Sequence, residues 1–130
     1  MTIENLLLDK LTAQAKESPR LRMNYDLRNS DSDTSQRMLN AIEPGSEIPI
    51  HRHQMTSETV VVLRGRVVEE YYSSEGEVLE SYEVAAGGPI CALNIPSGQW
   101  HTLRALESGT VILEMKDGAY EPMNEEDIMR

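Results

Sequence analysis

Phenylalanine is absent from the 130-residue sequence, and cysteine and tryptophan occur once each. The missing Phe rules out an aromatic-built interior. The core falls instead to Val, Ile, Leu, Met, Ala and some of the five Tyr, an aliphatic set that suits β-branched strands. The lone Cys91 excludes an intrachain disulfide and a cysteine-built zinc cluster, and it fits a reducing compartment. Basic side chains are scarce too. Twelve Lys and Arg stand against 22 Asp and Glu, for a formal charge of -10 that repels phosphate backbones and anionic membrane surfaces. This argues against nucleic acid as a partner. No stretch reaches the roughly 18 apolar residues of a spanning helix. The opening MTIENLLLDKLTAQAK carries Glu, Asp and Lys within its apolar stretch, with neither a basic leader nor a small-residue cleavage site. The expectation is a cytoplasmic protein without a membrane partner.

The length suits one domain with a continuous core. Ile3, Leu6, Leu7, Leu11 and Ala15 recur at helical spacing, which predicts an amphipathic helix capped by Thr2 and stopped at Ser18-Pro19. Its apolar face is expected to cover a sheet or to pair with a second subunit. Residues 20–28 read as extended, and the polar NSDSDTS at 29–35 as a loop. Seven short β-rich segments follow, at 36–43, 57–65, 66–72, 78–84, 90–95, 101–106 and 110–116. Gly- and Pro-containing punctuation separates them at the spacing of an all-β barrel or sandwich. No helix-length segment intervenes, which argues against a parallel βαβ fold. The expected division is a helix at 1–18, a β-barrel at 19–122 and an acidic tail at 123–130. The acidic runs around Glu69-Glu70, Glu75 to Glu83 and Glu125 to Asp127 read as solvated faces.

Two of the three histidines lie in IHRH as His51 and His53; in extended chain both project to one side while Arg52 projects to the other. Glu58 follows after a short polar segment that can turn a carboxylate back toward them. His101 opens a later strand just after IPSGQW. Imidazole and carboxylate suit divalent first-row metals, and three nitrogens with one oxygen leave positions open in an octahedral shell. Such an ion can acidify water or polarise a carbonyl.

The spacing is more specific than the residue types. From Gly45 the chain reads Gly, five residues, HxH, four residues, Glu58, six residues, Gly65, and later PxGxxH through Pro96, Gly98 and His101. This resembles the cupin superfamily, whose first motif is G(x)5HxH(x)3-4E(x)6G and whose second is G(x)5PxG(x)2H(x)3N. The first is matched throughout; in the second, Ile90 replaces the leading Gly and Ala105 the closing Asn. QRMLNAIEPG, ETVVVLRGR and EMKDGAYEP look like the small stand-alone cupins of the WbuC family, over residues 20–122. The resemblance implies a single double-stranded β-helix, or jelly-roll barrel, behind a short N-terminal helix. It implies one divalent transition metal, with Fe, Mn, Ni and Zn not distinguished, held by His51, His53, Glu58 and His101. It also implies a homodimer and a setting in surface-polysaccharide metabolism.

Arg37, Asn40, Lys116 and Tyr120 are the candidate substrate-binding residues. Arg37 and Asn40 have opposite strand parity, so without a bulge only one of them faces inward. Tyr25, Tyr120 and Lys116 are the candidate acids or bases, and no catalytic residue is assigned. Trp100 points away from His101 by parity. The functional expectation is a metal-dependent enzyme, an isomerase, an epimerase or a ferrous oxygenase, acting on a sugar derivative or an organic acid. The competing readings are a binding module on the same barrel and a purely structural ion.

Overall fold

The computed structural model describes all residues from Met1 to Arg130. Helix α1 (Asn5–Glu17) precedes eight strands: β1 (Arg22–Asp26), β2 (Gln36–Ile42), β3 (Glu58–Arg64), β4 (Arg66–Tyr72), β5 (Val78–Ala85), β6 (Ala92–Ile95), β7 (Trp100–Ala105) and β8 (Thr110–Lys116). A 3-10 turn, η1 (Glu125–Asp127), lies near the end. The strands form a five-stranded sheet, β1-β2-β8-β3-β6, and a three-stranded sheet, β5-β4-β7. Every pairing is antiparallel. Sequence and structure agree on an all-β barrel behind one short helix.

Between the sheets lie Ile42, Val60, Val62, Val67, Val84, Ile95, Leu103, Ala105 and Ile112, an aliphatic core without a phenylalanine. On β2 the alternation serves two cores. Ile42 enters the barrel, whereas Leu39 and Ala41 point outward and meet Leu8, Leu11 and Ala15 of α1. The helix therefore covers the outer face of the larger sheet. Its buried face is Leu8, Leu11, Thr12 and Ala15: Leu11 and Ala15 are where the sequence puts them, Leu8 is more buried than Leu7, and Leu7 packs at the margin. Ile3 and Leu6 are exposed, and Glu4, not Thr2, occupies the N-cap position without a side-chain cap bond.

Gly65 joins β3 to β4 with φ of 82°, and a Cβ there would sit 2.8 Å from Thr110 Cα. Only glycine fits that approach and that left-handed turn. Ile90, in place of the second motif's leading glycine, leaves its turn intact, because its carbonyl accepts a 2.9 Å hydrogen bond from the Ala85 N–H.

Candidate metal centre

The open end of the barrel is crossed by the irregular segment 47–57, which carries IHRH. IHRH is not a regular strand. His51 is held by isolated bridges to His101, with backbone bonds of 3.0 and 2.8 Å running both ways, and to Ile128 in the tail. The Gly98 N–H donates to the His53 carbonyl at 2.8 Å, so the Pro96-Ser97-Gly98 turn props the second histidine. Arg52 turns away between them, its guanidinium 4.6 Å from the Trp100 ring centroid and its Nε donating to Asp127 at 2.9 Å. Asp127 also accepts from Gln54, and the Arg52 N–H donates to the Asp127 carbonyl. The acidic tail thus braces the histidine segment, and Asp127 is buried, not solvated. Glu58 opens β3, with Lys116 beside it on β8, and His101 sits on β7 opposite Tyr71.

The candidate donor atoms of His51, His53 and His101 all lie within 4.8 Å of one another. Glu58 Oε2 is 3.5 Å from Nε2 of both His53 and His101. Nδ1 of His51 donates to the Pro49 carbonyl at 2.8 Å, and Nδ1 of His101 to the Gln99 carbonyl at 2.8 Å. A carbonyl can only accept, so both rings carry their proton on Nδ1 and present a bare Nε2 to the centre. Burial pushes His51 and His53 down to about 4, which keeps both neutral at pH 7. Burial alone would raise the Glu58 carboxyl, but it lies low and stays ionised, with the Lys116 charge beside it favouring the carboxylate. His101 Nε2 and Glu58 Oε2 are buried without a hydrogen-bond partner. A bare imidazole nitrogen and a carboxylate oxygen left unpaired side by side in the interior are costly unless something binds them. The three imidazoles could hold a divalent metal ion, and the carboxylate beside them suits the same ion.

The centre opens into a cavity of about 230 Å³, whose walls include Asn40, Lys116, Leu103 and Glu114. Asn40 Nδ2 donates to Glu114 at 3.3 Å. Parity separates the two β2 candidates: Asn40 faces this cavity, and Arg37 faces away. Arg37 bonds the Ser35 and Leu27 carbonyls and pairs with Asp33, so the structure does not bring it to the cavity. Tyr120 lies in a separate recess of about 600 Å³ that shares only His53 and Lys116 with the walls of that cavity. Its ring centroid is 5.9 Å from the Arg28 guanidinium. Tyr25 is exposed on β1, outside both spaces.

Sequence patterning does not single out four polar residues that line this cavity, Arg20, Arg22, Asn24 and Glu114, nor the burial of Glu69, which feels the charges of Glu58 and Glu114. The sequence predicts a solvated Glu69, yet it is 1% exposed, with neither carboxyl oxygen hydrogen-bonded. Parity along β4 was the available signal, since Val67, Glu69 and Tyr71 face the interior while Glu70 faces out to Arg104.

Over residues 3–84 the sequence matches the family described as "Domain of unknown function (DUF6016)". The chain belongs to the DUF6016 family. No curated protein sequence matches this DUF6016 chain significantly. Among solved structures it is similar to the capsular polysaccharide assembling protein CapF from Staphylococcus aureus, with a TM-score of 0.69 and 20% identity, covering 86% of this chain and 32% of that one. It therefore spans about a third of CapF's length. KdgF from Halomonas sp. aligns with a TM-score of 0.60 at 15% identity, over 80% of this chain and 84% of KdgF. Recombinant oxalate oxidase in complex with glycolate aligns at 0.67 and 16%, over 84% and 57%. These likenesses show a cupin fold for this DUF6016 chain. No helix in it is long and apolar enough to cross a membrane.

Proposed function

We propose that this chain is a metal-dependent enzyme acting on a small polar substrate, with one divalent transition metal held by His51, His53, Glu58 and His101. The observation that carries this reading is the pair of buried, unpartnered atoms His101 Nε2 and Glu58 Oε2 beside two neutral imidazoles. A bound divalent ion would supply Lewis acidity toward a substrate oxygen. The chain's own residues supply the rest. The Nδ1 protons of His51 and His101, tied to backbone carbonyls, fix the imidazoles. Asn40 orients the Glu114 carboxyl, and Glu114 and Lys116 are the cavity groups able to take up or return a proton. Isomerisation or epimerisation beside a metal-chelating oxygen needs such a group. Glu114 therefore favours an enzyme over a binding module.

The setting we infer is surface-polysaccharide metabolism, on the resemblance to the WbuC family and the likeness to CapF, whose description names capsular polysaccharide assembly. A homodimer fits the same resemblance; β5 forms one edge of the smaller sheet with Val78 and Leu79 exposed. We further divide the chain into the helix at 1–18, the barrel at 19–122 and a tail at 123–130. Light scattering would return twice 14.6 kDa for the dimer.

Elemental analysis of untagged protein purified anaerobically is expected to find one transition metal per chain, and His101→Ala to lose it. A metal-free wild type, or a variant that holds as much metal, ends the reading. Glu114→Gln is expected to keep metal and ligand binding while lowering turnover about 100-fold or more, the usual contribution of a proton-transfer group. A nucleotide-sugar and keto-acid panel incubated with metal-loaded protein separates the classes. Retention of a compound without product would establish a binding module instead.

A further inference from the structure

Of the 12 Lys and Arg side chains, seven pair with a carboxylate: Arg28, Arg37, Arg52, Arg64, Arg66, Arg104 and Arg130. Lys10 and Lys16, on the helix, do not. The other three without an ion pair, Arg20, Arg22 and Lys116, all line the cavity of about 230 Å³ that holds the four candidate ligands. In a chain with ten more acids than bases, cations left unpaired at one cavity stand out. Carboxylates were plentiful, and none was placed on them. Lys116 lies beside Glu58 and Glu114, and Glu114 also acts on Arg22 from beyond ion-pair distance, so three cations face two carboxylates in the cavity and the excess positive charge lies toward the two arginines.

Their placement is built, not incidental. Leu21 between them has φ of 56°, a left-handed backbone that is uncommon for leucine and costs on the order of 1 kcal/mol or more. Three bonds hold the strained turn. The Leu21 N–H donates to the Ser18 carbonyl at 2.9 Å, the Glu43 N–H donates to the Leu21 carbonyl at 2.9 Å, and Ser46 Oγ donates to the Arg20 carbonyl at 2.7 Å. Gly45, the motif's first glycine, lies beneath, where a Cβ would come within 3.3 Å of Leu21 Cδ1. The turn directs Arg20 into the same cavity as Arg22. One nitrogen of Arg22 donates to Ser46 Oγ and to the Glu47 carbonyl, both at 3.1 Å, neutral acceptors that fix the guanidinium without an ion pair. The Arg20 side chain bonds nothing. Two like charges held together, one of them half-buried, suit a planar or tetrahedral oxyanion, which guanidinium groups grip in pairs of parallel bonds.

We propose that Arg20 and Arg22 form an anion clamp in the wall of the cavity, so that the substrate carries a carboxylate or phosphate besides the oxygens it presents at the metal centre. This rests on the metal-site reading above, and the test separates the two. Malate, 3-phosphoglycerate and glycerate share a 2-hydroxycarboxylate and differ at the other end, which is a carboxylate, a phosphate or a neutral hydroxymethyl. Calorimetric titration of wild type, metal-loaded and chelator-stripped, with each of the three is expected to show malate or 3-phosphoglycerate bound about tenfold or more tighter than glycerate, the worth of one charge-assisted contact. The tighter of the two names the anion. Arg20→Gln, whose side chain bonds nothing in the fold, is expected to bring the three to within about threefold while metal content stays at the wild-type level. Arg22→Lys, which keeps a charge and loses the fork, is expected to weaken the preferred anion as well. Equal binding of all three by wild type, no binding by any, or a preference that survives in Arg20→Gln overturns the clamp. Wild type that comes through anaerobic purification without metal, takes none up on loading and still prefers the anion would sink the metal reading and leave the clamp standing.

Discussion

Glu69 shows how one side chain can tie stability to pH. It sits on β4 at 1% exposure, and burial, then the charges of Glu58 and Glu114, push its carboxyl up to about 9 from an ordinary 4.5. Below about 4.5 the acid is neutral whether the chain is folded or not, and its contribution is fully present. Between about 4.5 and 9 the folded chain binds a proton that the unfolded chain has released, so this contribution falls as pH rises, by at most about 1.4 kcal/mol per unit. Glu69→Gln keeps the shape and removes the titration. Urea denaturation at pH 5 is expected to find variant and wild type about equal, and at pH 8 to find the variant more stable by roughly 1–3 kcal/mol. Parallel stability curves across that range would show that Glu69 is ionised in the fold. At this scale the spacing of the ligands was readable, because metal geometry ties residue type to position. Glu69 was hidden because two adjacent acids read as solvent-facing, although a strand must send one of them inward. Arg20 was hidden by Leu21, whose positive φ no sequence pattern announces.

Elements were more legible than their faces. All seven β segments after the loop, from β2 to β8, appear within one or two residues of their expected bounds, because period-two alternation and glycine punctuation are local signals. Segment 47–57 was not legible as irregular chain, since HxH looks the same in a strand and in a bridge. The helix existed where expected, but Leu7 and Leu8 compete for one face, and tertiary packing decides. Leu8 and Leu11 meet Leu39, Ala41 and Val111. Each buried leucine contributes roughly 1.5–3 kcal/mol relative to exposure. Leu11→Ala, at 2% exposure, is therefore expected to cost about 2–4 kcal/mol, against less than about 0.5 kcal/mol for the exposed Leu6→Ala. Thermal denaturation of the two variants checks the assignment, and equal losses would mean that the helix is not docked through this face. Metal content is expected to be the same in both, because the helix lies on the outside of the larger sheet while the ligands converge at its open end.

The molecule as a whole couples folding to the ion through the separation of its ligands. His51, His53 and Glu58 lie within eight residues of one another, whereas His101 arrives from β7 on the other sheet, so the full donor set exists only when both sheets close. The unfolded chain keeps at best the weak HxH pair. Binding to the native state alone stabilises it by mass action, about 2.7 kcal/mol when free metal stands at 100 times its dissociation constant. For a chain of this size that corresponds to a rise in Tm on the order of 10 °C. The acid excess acts in the same direction, since a cation relieves some of the self-repulsion of a chain with formal charge -10. Scanning calorimetry of metal-loaded and chelator-stripped wild type is expected to show that rise, and His101→Ala to lose most of it while the stripped proteins melt close together. A variant that keeps the full rise would place the ion on the HxH segment alone, without β7. Its binding would then do nothing to hold the two sheets together.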